Sequence, residues 1–272
     1  MVSVPISADF PETGLYVLPG PRRIRRFQVI GERCSGTNYV ASLIRENIPL
    51  QPSDMLGWKH GHPSLLAIPA DLVVVLVVRR AEDWVRSLFA RPWHTTPAMQ
   101  MLEASDFLRA RWETVVDHPR ILGPGFTDDL IGQPLQGDRD PLTGLPYDNI
   151  AALRRGKLRS HLSYANRGCA FCLVRMERVV ADPVQFVDSF RAGFGLRPRK
   201  VPFVPVDRRL GQRFKAQVKR PKEQAMLSPQ DIAFLQAWAD PDLESALGYD
   251  DWGLMRRAQK RGAARLRLLQ SA

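Results

Sequence analysis

A strand-to-helix junction at residues 27–41 is the feature that most constrains what this chain can fold into. A short apolar run, Phe27 to Ile30, predicts a strand, and apolar residues recur at helical spacing farther along. The residues between these patterns, Arg33-Cys-Ser-Gly-Thr-Asn38, predict a loop that opens a helix. At such a loop the free N–H groups of the first helical turn and the positive end of the helix dipole face an incoming anion. The junction indicates a phosphate-binding loop, and an ordinary helix capped by Ser35 or Thr37 is the alternative interpretation.

Several side chains of this loop suit close contact with a phosphate. Gly36 lets the backbone approach the anion, and the hydroxyls of Ser35 and Thr37 can donate hydrogen bonds. Cys34 precedes them, and a thiol at a helix N-terminus is expected to have a lowered pKa and to be reactive.

A second strand-to-helix junction follows at residues 71–80. Its strand, Asp71-Leu-Val-Val-Val-Leu-Val-Val78, is almost continuously apolar, which is typical of a strand buried on both faces of a parallel sheet. It ends in Arg79-Arg80. A magnesium-dependent NTPase would need Gly-x-x-x-x-Gly-Lys-Ser/Thr at the first junction and a carboxylate at the end of a later strand. Because the chain has neither, that class of enzyme is disfavoured.

Four short motifs occur in a consistent order between residues 27 and 250. They are the loop at 33–38, Arg79 with Asp83 and Ser87, the segment Cys172–Pro183, and Leu247-Gly-Tyr249. In this order they resemble the sulfotransferases that use 3′-phosphoadenosine 5′-phosphosulfate (PAPS). The counterparts in that family are the 5′-phosphosulfate loop Pro-Lys/Arg-Ser-Gly-Thr-Thr, the 3′-phosphate motif, the strand Arg-Tyr-Glu-Asp-Leu with a later Asp-Pro, and the end of the last core helix.

The resemblance implies that PAPS is the donor, that a sulfuryl group moves to a hydroxyl or amine of an acceptor, and that no metal is required. The donor-binding residues that it implies are Arg33, Cys34, Ser35, Gly36, Thr37, Asn38, Arg79 and Ser87. Two positions depart from the family's pattern. Cys34 stands where the family usually has Lys or Arg, with the cation displaced to Arg33, and Asn38 replaces the second Thr.

The segment Trp58-Lys-His-Gly-His-Pro63 occupies the place of the Lys-x-His-x-Pro segment on the second strand of the cytosolic sulfotransferases that the chain resembles. Its histidines fall one residue either side of the expected position. Imidazole has an ordinary pKa of about 6.5, so His60 or His62 is expected to take the acceptor's proton, with His60 favoured. Lys59 is expected to stabilise charge on the bridging oxygen. At least one of the two histidines is expected to be only a polar residue at a strand end.

The formal net charge of +11 is concentrated in three clusters: Arg22–Arg26, Arg208–Lys222 and the segment after Trp252. Such clusters attract phosphates, so a non-catalytic nucleic-acid or anion-binding protein is an alternative. Aromatic residues are not interleaved with the basic ones, and nucleic acid is therefore not expected as a partner. The middle cluster occupies the place where sulfotransferases have a basic loop over the 3′-phosphate. The last cluster is expected to be a solvated helix face or a contact for an anionic acceptor or surface.

Composition indicates a single globular catalytic domain. The chain has 272 residues, of which 44% are hydrophobic and 25% charged. No apolar stretch is long enough to span a membrane, and the start of the chain lacks the pattern of a signal peptide, so a cytoplasmic location is expected. Cys34, Cys169 and Cys172 cannot all pair in disulfides, and a lone Cys-x-x-Cys has too few ligands for a zinc site.

The rest of the chain predicts a helix at 97–116, an irregular acceptor-side loop at 117–148 that is rich in Gly, Pro and Asp, and a basic helix at 149–162. From the basic helix, Arg154 or Lys157 could reach the nucleotide. Solvated helix charges are the alternative interpretation of these two residues.

We therefore predict an α/β fold of the three-layer P-loop type, with a central, mainly parallel sheet flanked by helices. The predicted strands are 27–31, 56–60, 71–79 and 170–176. Residues 1–26 would form an N-terminal extension, 27–250 the catalytic domain and 251–272 a basic C-terminal helix or tail. The predicted function is a PAPS-dependent sulfotransferase with a small-molecule or glycan acceptor. A P-loop kinase of a small metabolite and a non-catalytic nucleic-acid or anion-binding protein are the alternatives.

Overall fold

Five strands form one central sheet in the computed structural model of this chain, which describes residues 6–118, 127–207, 210, 214–218 and 226–253. In chain order the elements are α1 (Phe10–Thr13), β1 (Leu15–Leu18), β2 (Arg26–Ile30), α2 (Thr37–Asn47), β3 (Gln51–Pro52), β4 (Leu72–Val78), α3 (Ala81–Ala90), α4 (Pro97–Gln100), α5 (Ala104–Arg109), α6 (Ile150–Leu162), β5 (Ala170–Arg175), α7 (Met176–Ala181), α8 (Pro183–Gly193), α9 (Pro229–Trp238) and α10 (Pro241–Ala246). Short 3-10 helices cover Asp128–Leu130, Gln136–Asp138 and Ser163–Asn166.

The sheet is mainly parallel, as the sequence predicts. Its strand order is β1-β5-β4-β2-β3, and only the pairing of β1 with β5 is antiparallel. β4 lies at the centre, where Val75 pairs with Val29 of β2 on one side and with Cys172 of β5 on the other. The ends of these parallel strands therefore meet at one edge of the sheet.

Helices cover both faces of the sheet because β4 is apolar on both faces. Val73, Val75 and Val77 belong to the core beneath α2 and α8, whereas the alternate residues, Leu72 to Val78, belong to the core beneath α6 and α10. All seven β4 side chains are at most 1% exposed. Burying one such side chain contributes roughly 1.5–3 kcal/mol to stability. Because its side chains pack alternately into the two cores, β4 joins the layers of helices on the two faces of the sheet and makes the molecule three-layered.

Three of the four predicted strands are confirmed with small shifts at their ends, as β2, β4 and β5. The strand predicted at 56–60 is wrong. The residues from Asp54 to Gly61 form two turns, closed by hydrogen bonds from Gly57 N to Asp54 O and from Gly61 N to Trp58 O, both 2.9 Å. Gly57 has a φ of +77°, which a pleated strand does not allow.

The helix predicted at 97–116 is also wrong, because the pattern covers two short helices, α4 and α5, and an extended segment. Thr114 and Val115 pair with Thr95 and Pro134 in isolated bridges, as suits β-branched residues. The basic helix at 149–162 is confirmed as α6. Asn149 caps it by accepting hydrogen bonds from Ala151 N (3.0 Å) and Ala152 N (2.9 Å).

The predicted acceptor-side loop contains two 3-10 helices in its described part, residues 127–148. The predicted N-terminal extension contributes α1 and β1 to the same fold, since β1 pairs with β5 and Phe10 is fully buried. Most of the basic stretch Arg208–Lys222, and the basic residues after Trp252, lie outside the described residues. None of the described helices combines the length and the apolar character that a membrane crossing requires.

Candidate active site

The predicted phosphate loop lies between β2 and α2, with an uncapped helix start. Gly36 is the N-cap of α2 with a φ of +96°, and no side chain in the described residues caps the helix. Ser35, which the alternative interpretation would make the cap, instead donates its hydroxyl to Glu32 O at 2.6 Å. The N-terminus of α2 therefore keeps the positive end of its dipole available for an anion.

Gly36 is required by backbone conformation, because its φ of +96° lies in the region that favours glycine. A Cβ atom at this position would also lie 2.2 Å from Met176 Sδ, so the flexible Met176 side chain would have to move. A larger residue would therefore strain the loop whether or not the loop binds a phosphate.

The second junction converges on this loop. Arg79, directly after β4, donates from Nη1 to Cys34 O at 2.9 Å. The Cys34 thiol lies 3.6 Å from Ser87 O in α3. Three of the predicted donor-binding residues, Cys34, Arg79 and Ser87, are thus brought together although up to 53 positions separate them in the sequence.

The reactivity expected of Cys34 is not supported, because burial raises the pKa of its thiol. The nearby Ser87 carbonyl and the cations Arg33, Arg91 and Arg79 only partly oppose this effect. Cys34 is one of two non-glycine residues with positive φ in the described chain, at +63°, and the other is His94. The half-buried thiol is therefore a weaker nucleophile than its position at a helix start predicts.

The Arg33 guanidinium points away from the mouth of the loop and is 2% exposed. It lies 2.6 Å from Asp138 Oδ2 and 3.2 Å from Glu32 Oε1, and Nη1 donates to Trp93 O at 3.1 Å. With these partners its side chain does not face an anion at the N-terminus of α2. Only the backbone of Arg33 remains in the loop.

Lys157 of α6 completes a buried ion network that consists of Glu32, Arg33, Asp138 and Lys157. Its Nζ donates to Asp138 Oδ1 at 2.8 Å and also to the carbonyl of His60. Burial alone would raise the pKa of Asp138, but Arg33 and Lys157 hold it well below its usual range. The two cations and two carboxylates compensate one another, as buried charges must.

The two sequence interpretations of Arg154 and Lys157 are both wrong. Lys157 is 1% exposed and bound within the ion network, so it neither reaches a nucleotide nor lies in solvent. Arg154 is 6% exposed and pairs with both carboxylate oxygens of Glu244, at 2.7 and 2.9 Å. These cations hold α6 against neighbouring segments.

The histidine segment lies directly beside the phosphate loop, although it is not a strand. Gly31 N donates to Lys59 O at 3.0 Å, and the ring Nδ1 of His60 bonds to Gly31 O. A carbonyl can only accept, so Nδ1 carries the hydrogen and Nε2 carries the lone pair. Burial, and then the charge of Lys59, keep the pKa of His60 well below 6.5. His60 is therefore a neutral imidazole with its basic nitrogen at Nε2.

Lys59 reaches the first turn of α2, where its Nζ donates to Asn38 Oδ1. Burial lowers the pKa of Lys59 to about 8. The ammonium lies beside the uncapped N-terminus of α2, so a cation and a helix dipole favour a negative charge at the same place.

His62 has a different environment from His60. Its Nε2 lies 3.1 Å from the Tyr147 hydroxyl, its Nδ1 is buried without a partner in the described residues, and burial lowers its pKa to about 3. The two histidines do not lie on one strand, because the turn at 59–60 directs them to different neighbours. Gly61, between them, packs against Trp58, since a Cβ atom there would lie 3.3 Å from the Trp58 ring.

Sequence reasoning missed Asp138, Trp58 and the pair His94–Asp117. The Trp58 ring lies 5.5 Å from the ring of His60 and 5.6 Å from that of His94, and it faces the cations of the ion network. His94 is 3% exposed and bonds through Nδ1 to Asp117. The position of Trp58 directly before Lys59 is a sequence signal that could have placed Trp58 in the site. Nothing in the sequence relates Asp138 or His94 to the loop.

One described residue of the basic stretch Arg208–Lys222, Phe214, lies near this site. Phe214 packs against Trp93 with ring centroids 5.5 Å apart, and the carbonyl of Trp93 is a partner of Arg33. Within the described residues, no three side chains of His, Cys, Asp or Glu come together as a metal site would require.

Comparisons with protein-family models, with curated proteins and with solved structures found no match for this chain.

Proposed function

We propose that this chain is a P-loop-type sulfotransferase that moves a sulfuryl group from PAPS to a hydroxyl or amine of an acceptor. The observation that carries the proposal is the contact of Arg79 with the Cys34 carbonyl, in a loop that opens the uncapped helix α2. It brings a cation from the end of β4 to an anion-binding helix N-terminus. The order and spacing of the sequence motifs support PAPS as the anion.

The residues at this edge of the sheet suit a ligand with two separate anionic groups. Backbone N–H groups of residues 34 and 36–38 would hold the 5′-phosphosulfate, with the Lys59 ammonium beside them, whereas Ser35 N already donates to Glu32 O at 3.1 Å. Arg79 and Ser87 would hold the 3′-phosphate, because a guanidinium and a hydroxyl both donate to phosphate oxygens. When bound, PAPS supplies an activated sulfuryl group.

His60 suits the role of general base. Its Nε2 would accept the proton of the acceptor hydroxyl as the acceptor oxygen bonds to sulfur and the bond from sulfur to the phosphate oxygen breaks. Lys59 would stabilise the negative charge that the phosphate oxygen acquires. Gly31 O positions the base by fixing the His60 tautomer, and Lys157 holds the same segment through the carbonyl of His60.

The test is binding of adenosine 3′,5′-bisphosphate, measured by isothermal titration calorimetry on the full chain. Arg79→Ala should weaken binding by about 2 kcal/mol or more, since charge-assisted hydrogen bonds are lost. Arg86→Ala is the matched control, because Arg86 also belongs to this junction but pairs with Asp83 at 3.0 Å. Equal affinity in the wild type and Arg79→Ala would overturn the assignment. Binding of magnesium-ATP instead of adenosine 3′,5′-bisphosphate would indicate a kinase. If neither nucleotide binds, the chain is an anion-binding protein of another kind.

A further inference from the structure

A groove of about 640 Å³ begins at the residue after the proposed base. One wall is formed by the turns at 54–64, including Gly61 and His62, and the other by residues 116 and 130–137. Its volume lies within the usual range for small-molecule sites. Trp58 joins the groove to the site, because its ring forms part of the wall and lies 5.5 Å from the ring of His60.

The walls of this groove are mostly apolar. The side chains that give it this character are Met55, Trp58, Val116, Leu130, Pro134 and Leu135. Val116 and Leu135 are each 5% exposed, so they are packed into the wall, whereas Met55 is 60% exposed at its rim. A ligand that fills the groove would bury its surface against these side chains. This burial is favourable only where the surface of the ligand is apolar.

The groove differs in charge from the chain as a whole. The chain has a net charge of +11, yet no Lys or Arg is among the described residues that line the groove, and Asp54 is the only Asp or Glu among them. An acidic glycan or other anionic acceptor would need cations here to compensate for its lost hydration. The cations Lys59 and Arg79 lie instead on the side of the phosphate loop.

We infer that this groove is the acceptor site and that the acceptor is an uncharged alcohol with an apolar body. The inference rests on the proposed function. The apolar body lies between the rim at Met55 and the wall at Leu130 and Leu135, and the hydroxyl is the group that transfers its proton to His60. Sugars without an apolar body and acceptors with acidic groups are excluded by the same walls.

Binding of four probes to the purified full chain tests the inference, by saturation-transfer-difference NMR titration with adenosine 3′,5′-bisphosphate present. The uncharged apolar alcohols 1-hexanol and 4-ethylphenol should bind, and N-acetylglucosamine and glucuronic acid should not. Met55→Lys should weaken binding of both alcohols at least about tenfold, because it replaces an apolar rim side chain with a second cation beside Arg26, whose Nη1 donates to Met55 Sδ at 3.3 Å. Met101→Lys is the matched control, since Met101 is 65% exposed and lies outside the groove.

Tighter binding of glucuronic acid or N-acetylglucosamine than of the alcohols, or unchanged affinity in Met55→Lys, would overturn the inference. A transfer assay with PAPS on the same samples separates this failure from failure of the proposed function. If adenosine 3′,5′-bisphosphate binds through Arg79 but neither alcohol binds, the acceptor class is wrong and the proposed function stands. A different result would overturn the proposed function: the alcohols bind and depend on Met55, but no probe accepts sulfate and the bisphosphate does not bind. The sulfotransferase assignment would then be wrong, and the groove would remain a site for apolar alcohols.

Discussion

The two sides of the proposed site are built differently. The donor side, which we define as residues 31–38 with Arg79 and Ser87, lies at the ends of β2 and β4, at the start of α2 and within α3. The acceptor side, which we define as residues 54–64 and 127–138, consists mainly of turns and two 3-10 helices. Backbone groups at a strand-to-helix junction bind anions through geometry that many sequences share. The acceptor side depends on particular side-chain contacts, above all on the buried ion network.

The largest expected effect comes from removing the carboxylate of Asp138, which joins the two sides. Asp138→Asn would leave Arg33 and Lys157 buried with too little negative charge, so it should lower the free energy of unfolding by about 3–5 kcal/mol. Urea unfolding followed by circular dichroism measures this change. Glu46→Gln is the control, because its pair with Arg45 is exposed and should contribute less than about 1 kcal/mol. A loss below 1 kcal/mol for Asp138→Asn would mean that the acceptor side is held in another way.

The next effect tests whether the base belongs to the segment that contacts the donor side. His60→Ala should reduce kcat by roughly a hundredfold or more and leave the affinity for adenosine 3′,5′-bisphosphate nearly unchanged, because a general base acts in the transition state and does not hold the donor. Steady-state kinetics with an accepted alcohol gives kcat.

His62→Ala is the comparison, since Nε2 of His62 is engaged by Tyr147. It should retain most of kcat, and because His62 lines the acceptor groove its effect should appear in the KM for the alcohol. A large loss in His62→Ala with none in His60→Ala would transfer the role of the base to His62, and full activity in both would require another base, with Glu32 beside the loop as the next residue to test.

A smaller, pH-dependent effect concerns Lys59, which reaches the donor side from the acceptor side. Its pKa, lowered to about 8, means that the ammonium is present below pH 8 and is lost as the pH rises through that value. Affinity for adenosine 3′,5′-bisphosphate should therefore be constant from pH 6.5 to 7.5 and fall by about tenfold by pH 9.5, since one charge-assisted hydrogen bond is lost. Calorimetric titration at each pH measures the decline.

Lys59→Arg should abolish this decline, because a guanidinium stays charged throughout the range. A decline of the same size in Lys59→Arg would show that another group titrates, and the link between the two sides through Lys59 would not hold.

The smallest expected effect is in the chemistry of Cys34. Because burial raises its pKa, iodoacetamide at pH 7.5 should modify Cys34 at least several-fold more slowly than it modifies glutathione. Peptide mass spectrometry separates Cys34 from Cys169 and Cys172, which are 4% and 0% exposed. Modification of Cys34 as fast as that of a free thiol would indicate that the loop opens in solution and that the donor side is less rigid than its packing implies.

The sheet could be predicted from the sequence, but the turns of the acceptor side could not. The run from Leu72 to Val78 has one stable position, between two apolar layers, so its place at the centre follows from hydropathy alone. The strand predicted at 56–60 rests on the place of the Lys-x-His-x-Pro segment in the sulfotransferases that the chain resembles, and that likeness does not reveal the turn at Gly57. The helix predicted at 97–116 fails for another reason, since helical spacing of apolar residues does not reveal where β-branched residues such as Thr114 leave the helix.

Local sequence determined the loop between β2 and α2, the apolar strand that ends at Arg79 and the capped helix α6, because neighbouring residues alone decide these features. Only the tertiary structure decided that Arg33 and Lys157 point inward to Asp138, that Arg79 meets the Cys34 carbonyl, and that His60 and His62 have different neighbours. Each of these contacts joins residues that lie far apart in the chain. Their energies depend on burial, which converts a solvated charge into one that must be paired, and burial is a property of the packed molecule.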